Sequence, residues 1–322
     1  MEPQAGGACR AGNIYNLLQR VLYRMAEQGQ TEYAQIPVIS LNLMGEEKHT
    51  GFRITPGLLS GGIAAGCYGD LIMCLYQQVK PYEQNPGETD RIRSQVEKKL
   101  CESIRRHRNG RHTREKNYRY ACEVFSKVPV KPGKKKRVGI TGEIYMKYSK
   151  LGNDDIESFL LRQGMEPYSG GFVNYCLYLV DTERYKAEKY QHNPIMAKAC
   201  AFVLHRLCEA QKHLLTVIGE TDRFQTDLPF PELKEKVQGI LAEGCNTGDG
   251  WLIAAEVIQY VEKGCGSVLI LHPFGCLVSH VCERGILQRL HARFPDVSIQ
   301  TIEYDYDQSK TLRESRILLA IS

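Results

Sequence analysis

The 322-residue chain has no uninterrupted apolar run long enough to cross a bilayer, and its first residues lack the basic-then-apolar order of a signal peptide. Both absences favour a cytoplasmic protein with no membrane partner. Its twelve cysteines include none of the close pairs of a zinc ribbon or a bacterial ferredoxin. Disulfides are not expected in a reducing compartment. The chain also lacks a Walker loop, a dinucleotide fingerprint and the zincin spacing of histidines, so none of His205, His213, His272 and His280 is expected to ligate a metal. The net charge of +5 is concentrated in residues 105–119 and 131–137. The second run contains Pro132 and Gly133 and reads as a solvated linker, while the first has spaced tyrosines but no nucleic-acid module, so no nucleic-acid partner is expected.

What remains, 43% hydrophobic and 25% charged residues, is the composition of an ordinary globular chain long enough for two domains. Most thiols should be small core side chains. Cys200 and Cys208, in the helix-like run 196–215, and Cys74, in an apolar helix, read that way.

Ile14, Leu17, Leu18, Val21, Leu22 and Met25 recur at spacings of three and four, which predicts an amphipathic helix over residues 11–28. Residues 36–41 follow as a buried-strand pattern. No strand precedes that helix, so residues 1–54 read as a first α/β lobe incomplete at its N-terminus, the remainder lying on another polypeptide or lost from a truncated reading frame. Residues 55–130 read as a helical layer and linker, with helices over 58–79, 88–106 and 114–126 and a capping Thr89-Asp90. Residues 131–322 read as a second α/β lobe. Strands are predicted over 137–142, 267–271 and 297–304, and helices over 156–162 (closed by Gly164), 186–218, 233–241, 251–261, 280–293 and 310–319. Such alternation predicts an α/β fold of two Rossmann-like lobes with parallel sheets, joined by the helical layer.

Four positions carry candidate chemistry. Cys276, in His272-Pro273-Phe274-Gly275-Cys276, stands where a strand gives way to a helix, the place where open α/β sheets bind ligands. A helix N-terminus there favours thiolate, although a buried thiol at a tight turn fits the same pattern. Cys9, in Gly6-Gly7-Ala8-Cys9-Arg10-Ala11-Gly12-Asn13, is similar, set against a frayed terminal thiol. Two thiols so placed suit one metal centre. Glu243-Gly244-Cys245-Asn246-Thr247-Gly248-Asp249-Gly250-Trp251 is a glycine-rich loop opening a helix, a build that binds anions or simply connects. It makes Asn246, Gly248 and Gly250 candidate cofactor-binding positions, Trp251 a candidate pocket wall and Cys245 a third candidate ligand. Glu143, in Gly142-Glu143-Ile144-Tyr145 at the end of a strand, is a candidate acid, base or polar anchor, against a solvated carboxylate.

These turns occur in a particular order: Gly7-Ala8-Cys9-Arg10-Ala11-Gly12-Asn13, Pro37-Val38-Ile39-Ser40-Leu41-Asn42, Pro81-Tyr82-Glu83, Val138-Gly139-Ile140-Thr141-Gly142-Glu143-Ile144-Tyr145, Gly248-Asp249-Gly250-Trp251-Leu252 and Pro273-Phe274-Gly275-Cys276-Leu277. The series resembles the dehydratase-like C-terminal part of proteins related to the 2-hydroxyacyl-CoA dehydratase activators, a region similar to the D-component of 2-hydroxyglutaryl-CoA dehydratase. The resemblance implies two α/β lobes around a [4Fe-4S] cluster held by cysteines of both, with Cys9 and Cys276 at two ligand positions. For the further, upstream ligand it leaves three alternatives: Cys245 substitutes, a separate chain donates it, or the site is degenerate. Val278-Ser279 stands where the family has Pro-Asn. The implied activity is reductive radical dehydration of a 2-hydroxyacyl-CoA, with an ATP-dependent activator supplying one low-potential electron to the cluster. Implied partners are that activator, the acyl-CoA substrate and a second dehydratase-like subunit or upstream half. Coenzyme A phosphates would fall to residues 246–250 and basic residues such as Arg284. The alternative is a non-catalytic iron-sulfur electron-relay or structural subunit of such a complex.

Overall fold

The computed structural model describes residues 12–36, 38 and 55–322. Most of the strand predicted over 36–41, and with it the first lobe's sheet, falls outside the described residues. The chain divides into two compact units, Met1–Ile54 with Gly275–Leu277, and Thr55–Phe274 with Val278–Ser322. In the first unit the predicted amphipathic helix is present as α1, Gly12–Glu27, followed by a 3-10 turn, Thr31–Gln35.

The second unit is an α/β fold on a four-stranded, all-parallel sheet. Three helices come first: α2 (Pro56–Val79), α3 (Glu88–Arg105) and α4 (Arg111–Ser126). Strand β1 (Arg137–Gly142) leads through two short helices, α5 (Ile144–Tyr148) and α6 (Ile156–Arg162), to β2 (Glu166–Tyr168). The next stretch is helical: α7 (Phe172–Lys189), α8 (Pro194–Gly219), α9 (Phe230–Glu235) and α10 (Gly250–Glu262). Strand β3 (Cys265–Pro273) is followed by a π-helical turn, Ser279–Glu283, that runs into α11 (Arg284–Arg293), and then by β4 (Ser298–Tyr304) and α12 (Lys310–Ile321). The spatial order is β2-β1-β3-β4.

Strand periodicity sorts the core into two layers, because successive side chains leave opposite faces of a sheet. Val268, Ile270 and Ile299 join the larger cluster with α2, α4, α7, α8, α10 and α11. Leu269, Leu271 and Ile302, with Val138 and Ile140, pack on Met146, Phe159, Leu160, Ile317 and Ile321 of α5, α6 and α12. Helix α10 is mostly apolar because it is covered all round; every residue from Gly250 to Tyr260 is buried, Glu256 and Gln259 among them.

Several expectations need correction. β2 is only three residues long and contains Pro167, too little for an alternating pattern to show. Helix α3 starts at Glu88, where it was predicted, but behind Gly87 at φ +86; Thr89 lies inside the helix and does not cap it. The predicted 233–241 helix is α9, shifted towards the N-terminus. The helix expected over 280–293 opens in the π form. Finally, the segment Gly57–Tyr82 is by length and composition apolar enough to cross a membrane, with mean hydropathy 1.5 and 28% of it buried. It is interrupted by Asp70, which accepts the first backbone N–H groups of α7, from Phe172 at 2.7 Å and Val173 at 2.9 Å. Its inner face carries Cys67, Tyr68, Leu71, Leu75 and Val79 into the larger cluster.

Gly142 ends β1 at φ +129, and an added Cβ would collide with the Leu271 carbonyl on the neighbouring strand. Gly142→Ala is therefore expected to cost at least about 3 kcal/mol in urea unfolding. Gly133→Ala, at φ +119 but facing open space, is the control, expected to cost about 1 kcal/mol. Equal losses at the two positions would contradict the close approach of β1 and β3.

Candidate functional site

The chain leaves β1 for β2 on one side and β3 for β4 on the other. The carboxyl ends of β1 and β3 therefore form a topological switch point, where open parallel sheets bind ligands. The strand ends are stitched by the Glu143 N–H, which donates to the Leu271 carbonyl at 2.8 Å. Glu143 caps α5: its Oε2 accepts from the N–H groups of Tyr145 (3.1 Å) and Met146 (3.0 Å). The sequence put a carboxylate at the end of β1, and the structure does so in a half-buried setting rather than a solvated one. Burial raises its pKa, opposed by those two amides.

Two further carboxyls converge on Glu143. Asp249, buried just before α10, accepts from the Ile144 backbone, so the first turn of α5 bonds both acids. Burial first, and then the fields of Glu143, Glu283 and Glu256, push the Asp249 pKa well above the carboxylate range. Glu283, at the end of the π turn, is 1% exposed. Burial raises it to about 8, with Glu143 adding to the shift and a hydrogen bond from the Ser279 hydroxyl (2.8 Å) opposing it. Its second oxygen, Oε2, is buried without a partner, as is Nδ2 of the buried Asn246. Like charges held out of water cannot all ionise, so the set retains protons at neutral pH.

A buried ion pair adjoins them. Lys147 of α5 reaches both oxygens of Glu256 on α10, at 2.7 and 2.8 Å, and the Thr141 hydroxyl of β1 donates to Glu256 Oε2 at 2.5 Å.

The glycine-rich loop is folded on itself. Gly250 N–H donates to the Thr247 carbonyl and Trp251 N–H to the Cys245 carbonyl. Gly248, at φ +57, would put a Cβ 2.6 Å from Val278 Cγ2. Trp251 is a core side chain and not a pocket wall, 1% exposed and packed on Tyr178 (5.1 Å between centroids) and Phe230 (5.8 Å).

Cys9 lies outside the described residues. Cys276, three residues beyond β3, and Cys245 are half-buried. Arg284 meets Glu303 at 3.2 Å. Elsewhere burial holds thiols protonated: Cys67 and Cys122 are pushed up to about 11, and Cys176 and Cys265 to about 12. Cys74, Cys200 and Cys208 are raised by burial too, in keeping with packing roles.

The sequence dismissed every histidine, yet the fold gathers two of them. His272 on β3, His280 in the π turn and Glu303 on β4 place one ligand atom each within 4.8 Å of the others. No motif could signal this, because the meeting depends on β3 and β4 pairing in a register that sets His272 against Glu303. Among the described residues it is the group of three whose ligand atoms lie close enough to hold one metal ion, and it contains no cysteine. No protein-family model, curated protein or solved structure matches the chain.

The raised carboxyls give a pH signature. An unfolded glutamate titrates near about 4.3, so with Glu283 titrating at about 8 the folded chain binds the extra proton between these values. Its contribution is present at low pH and is lost as pH rises through that window. Glu283→Gln should match the wild type near pH 4.5 and exceed it above pH 8 by at least about 1 kcal/mol in thermal or urea unfolding. A difference that does not change with pH would show that Glu283 is charged throughout.

Proposed function

We propose that the sheet is one of two Rossmann-like lobes and that the chain is an iron-sulfur protein of the 2-hydroxyacyl-CoA dehydratase type, acting with an ATP-dependent activator. The ordered turns that resemble this family bring the reading, and one structural observation supports it. Asp249 and Glu283, carboxyls that burial keeps protonated near neutrality, converge at the switch point on Glu143, whose carboxylate two backbone amides stabilise.

Loss of water from a 2-hydroxyacyl thioester needs a proton for the departing hydroxyl and an acceptor for a proton from C3. A protonated Glu283 or Asp249 donates the first. Glu143, whose ionised form is stabilised by two backbone amides, accepts the second and hands it on to the neighbouring carboxyls. Lys147 already neutralises Glu256, so that carboxylate stays bound and takes no part in the transfer.

The cluster implied by the resemblance would supply the electron. Of its candidate donors, Cys245 and Cys276 are half-buried in loops and Cys9 is outside the described residues, so the described cysteines do not close a donor set. No step of the proton chemistry above passes through it. The many thiols held protonated by burial support a second reading, a structural or relay subunit of such a complex in which these cysteines pack rather than ligate.

Anaerobic purification followed by iron and acid-labile sulfide analysis separates the two. The dehydratase reading expects about four irons per chain, lost in both Cys9→Ala and Cys276→Ala, and turnover of a 2-hydroxyacyl-CoA once activator and reductant are added. Iron without turnover would assign a relay. No iron after anaerobic reconstitution would leave the structural reading.

A further inference from the structure

We propose a divalent transition-metal site at His272, His280 and Glu303, separate from the carboxyl cluster and independent of the dehydratase reading. His272 and Glu303 are register partners at the carboxyl ends of adjacent parallel strands, so their side chains leave the same face of the sheet. His280 enters from the π-helical turn that follows β3. Such turns displace one residue from the helical ladder and are frequent at functional sites. The two imidazoles meet edge to face, with centroids 5.5 Å apart.

The spacing suits one ion. Two ligands held about 2.1 Å from a tetrahedral zinc stand about 3.4 Å from each other. Here His280 Nε2 is 3.6 Å and His272 Nδ1 3.9 Å from the same Glu303 oxygen, within a few tenths of an ångström of that spacing, and all three ligand atoms lie within 4.8 Å of one another. His272 is wholly buried, and its Nδ1 is the ring nitrogen set towards Glu303. Its Nε2 is buried without a partner. The ion reaches the site past His280 and Glu303, whose side chains are 36% and 22% exposed. Two imidazoles and one carboxylate select zinc, cobalt(II) or iron(II) and discriminate against magnesium and calcium, which need oxygen ligands.

Two contacts oppose the ion: the Pro273 carbonyl lies 3.4 Å from His272 Nδ1, the nitrogen that faces Glu303, and a guanidinium holds Glu303 itself. Arg284 donates to Glu303 Oε2 at 3.2 Å, so metal binding must share or displace a guanidinium. This gives the site a variant that gains affinity, which a misfolded protein cannot imitate.

The test titrates the full-length, metal-stripped chain with Zn²⁺ and with Co²⁺, reading stoichiometry by calorimetry and ligand type by the cobalt spectrum. The expected result is one equivalent bound, with visible ligand-field bands and no near-ultraviolet sulfur-to-cobalt charge transfer. Affinity should fall at least tenfold, by order of magnitude, in Glu303→Gln and in His280→Ala, and rise in Arg284→Gln. Mg²⁺ should not compete. A spectrum dominated by thiolate charge transfer and unchanged in Glu303→Gln would assign the metal to cysteines and overturn the proposal. Absence of binding, or an Arg284→Gln variant no tighter than wild type, would also overturn it.

Discussion

The Lys147–Glu256 pair is the contact on which the switch point depends. It ties α5 to α10, and the Thr141 hydroxyl ties the same carboxylate to β1, so three elements that meet at the strand ends share one buried charge. Removing the cation alone would leave a buried Glu256 charge with the Thr141 hydroxyl but no counter-ion, a loss of about 3–5 kcal/mol. The pair also fixes what surrounds it. Lys147 is committed to Glu256, and Asp249 and Glu283, buried beside Glu143, answer its field by keeping their protons.

The same economy of charge is used at the helix ends. Asp70 of α2 receives the first amides of α7, and Glu143 and Asp249 receive those of α5. Burial raises Asp70 to about 7, while the α7 amides it accepts hold it back. Carboxyls placed this way satisfy N–H groups that a helix cannot bond internally. Asp70, raised to about 7, also sits close to the protonation balance at neutral pH, the poise that proton transfer asks of a carboxyl. Structure and chemistry draw on one arrangement here: acids that cap helices at the carboxyl edge of a parallel sheet.

Much of the second unit was legible in the sequence because its elements are long and periodic. Helix 156–162 and strand 137–142 were predicted to the residue, and Gly164 closes the first at φ +75 as expected. The parallel α/β class followed from the alternation of β3, α11, β4 and α12. β2 was not legible, since three residues with a proline hold no pattern, and the π turn was not, since its sequence reads as ordinary helix. Of the site, Glu143 was legible from its place after a strand. Asp249 and Glu283 were not, because they reach Glu143 from the loop before α10 and the turn before α11. His272 and Glu303 lie far apart in the chain, and only the strand register joins them.

The central claim is that carboxyls at the switch point hold protons at neutral pH and can deliver them to a ligand. Infrared spectroscopy of the full-length protein in deuterated buffer reads this directly through the carbonyl stretch of protonated carboxyl groups. The account expects that band at pH 6.5, a loss of part of it as pH passes through about 8, and a smaller band in Glu283→Gln and Asp249→Asn. A spectrum with no protonated-carboxyl band at pH 6.5, the same in wild type and both variants, would contradict it.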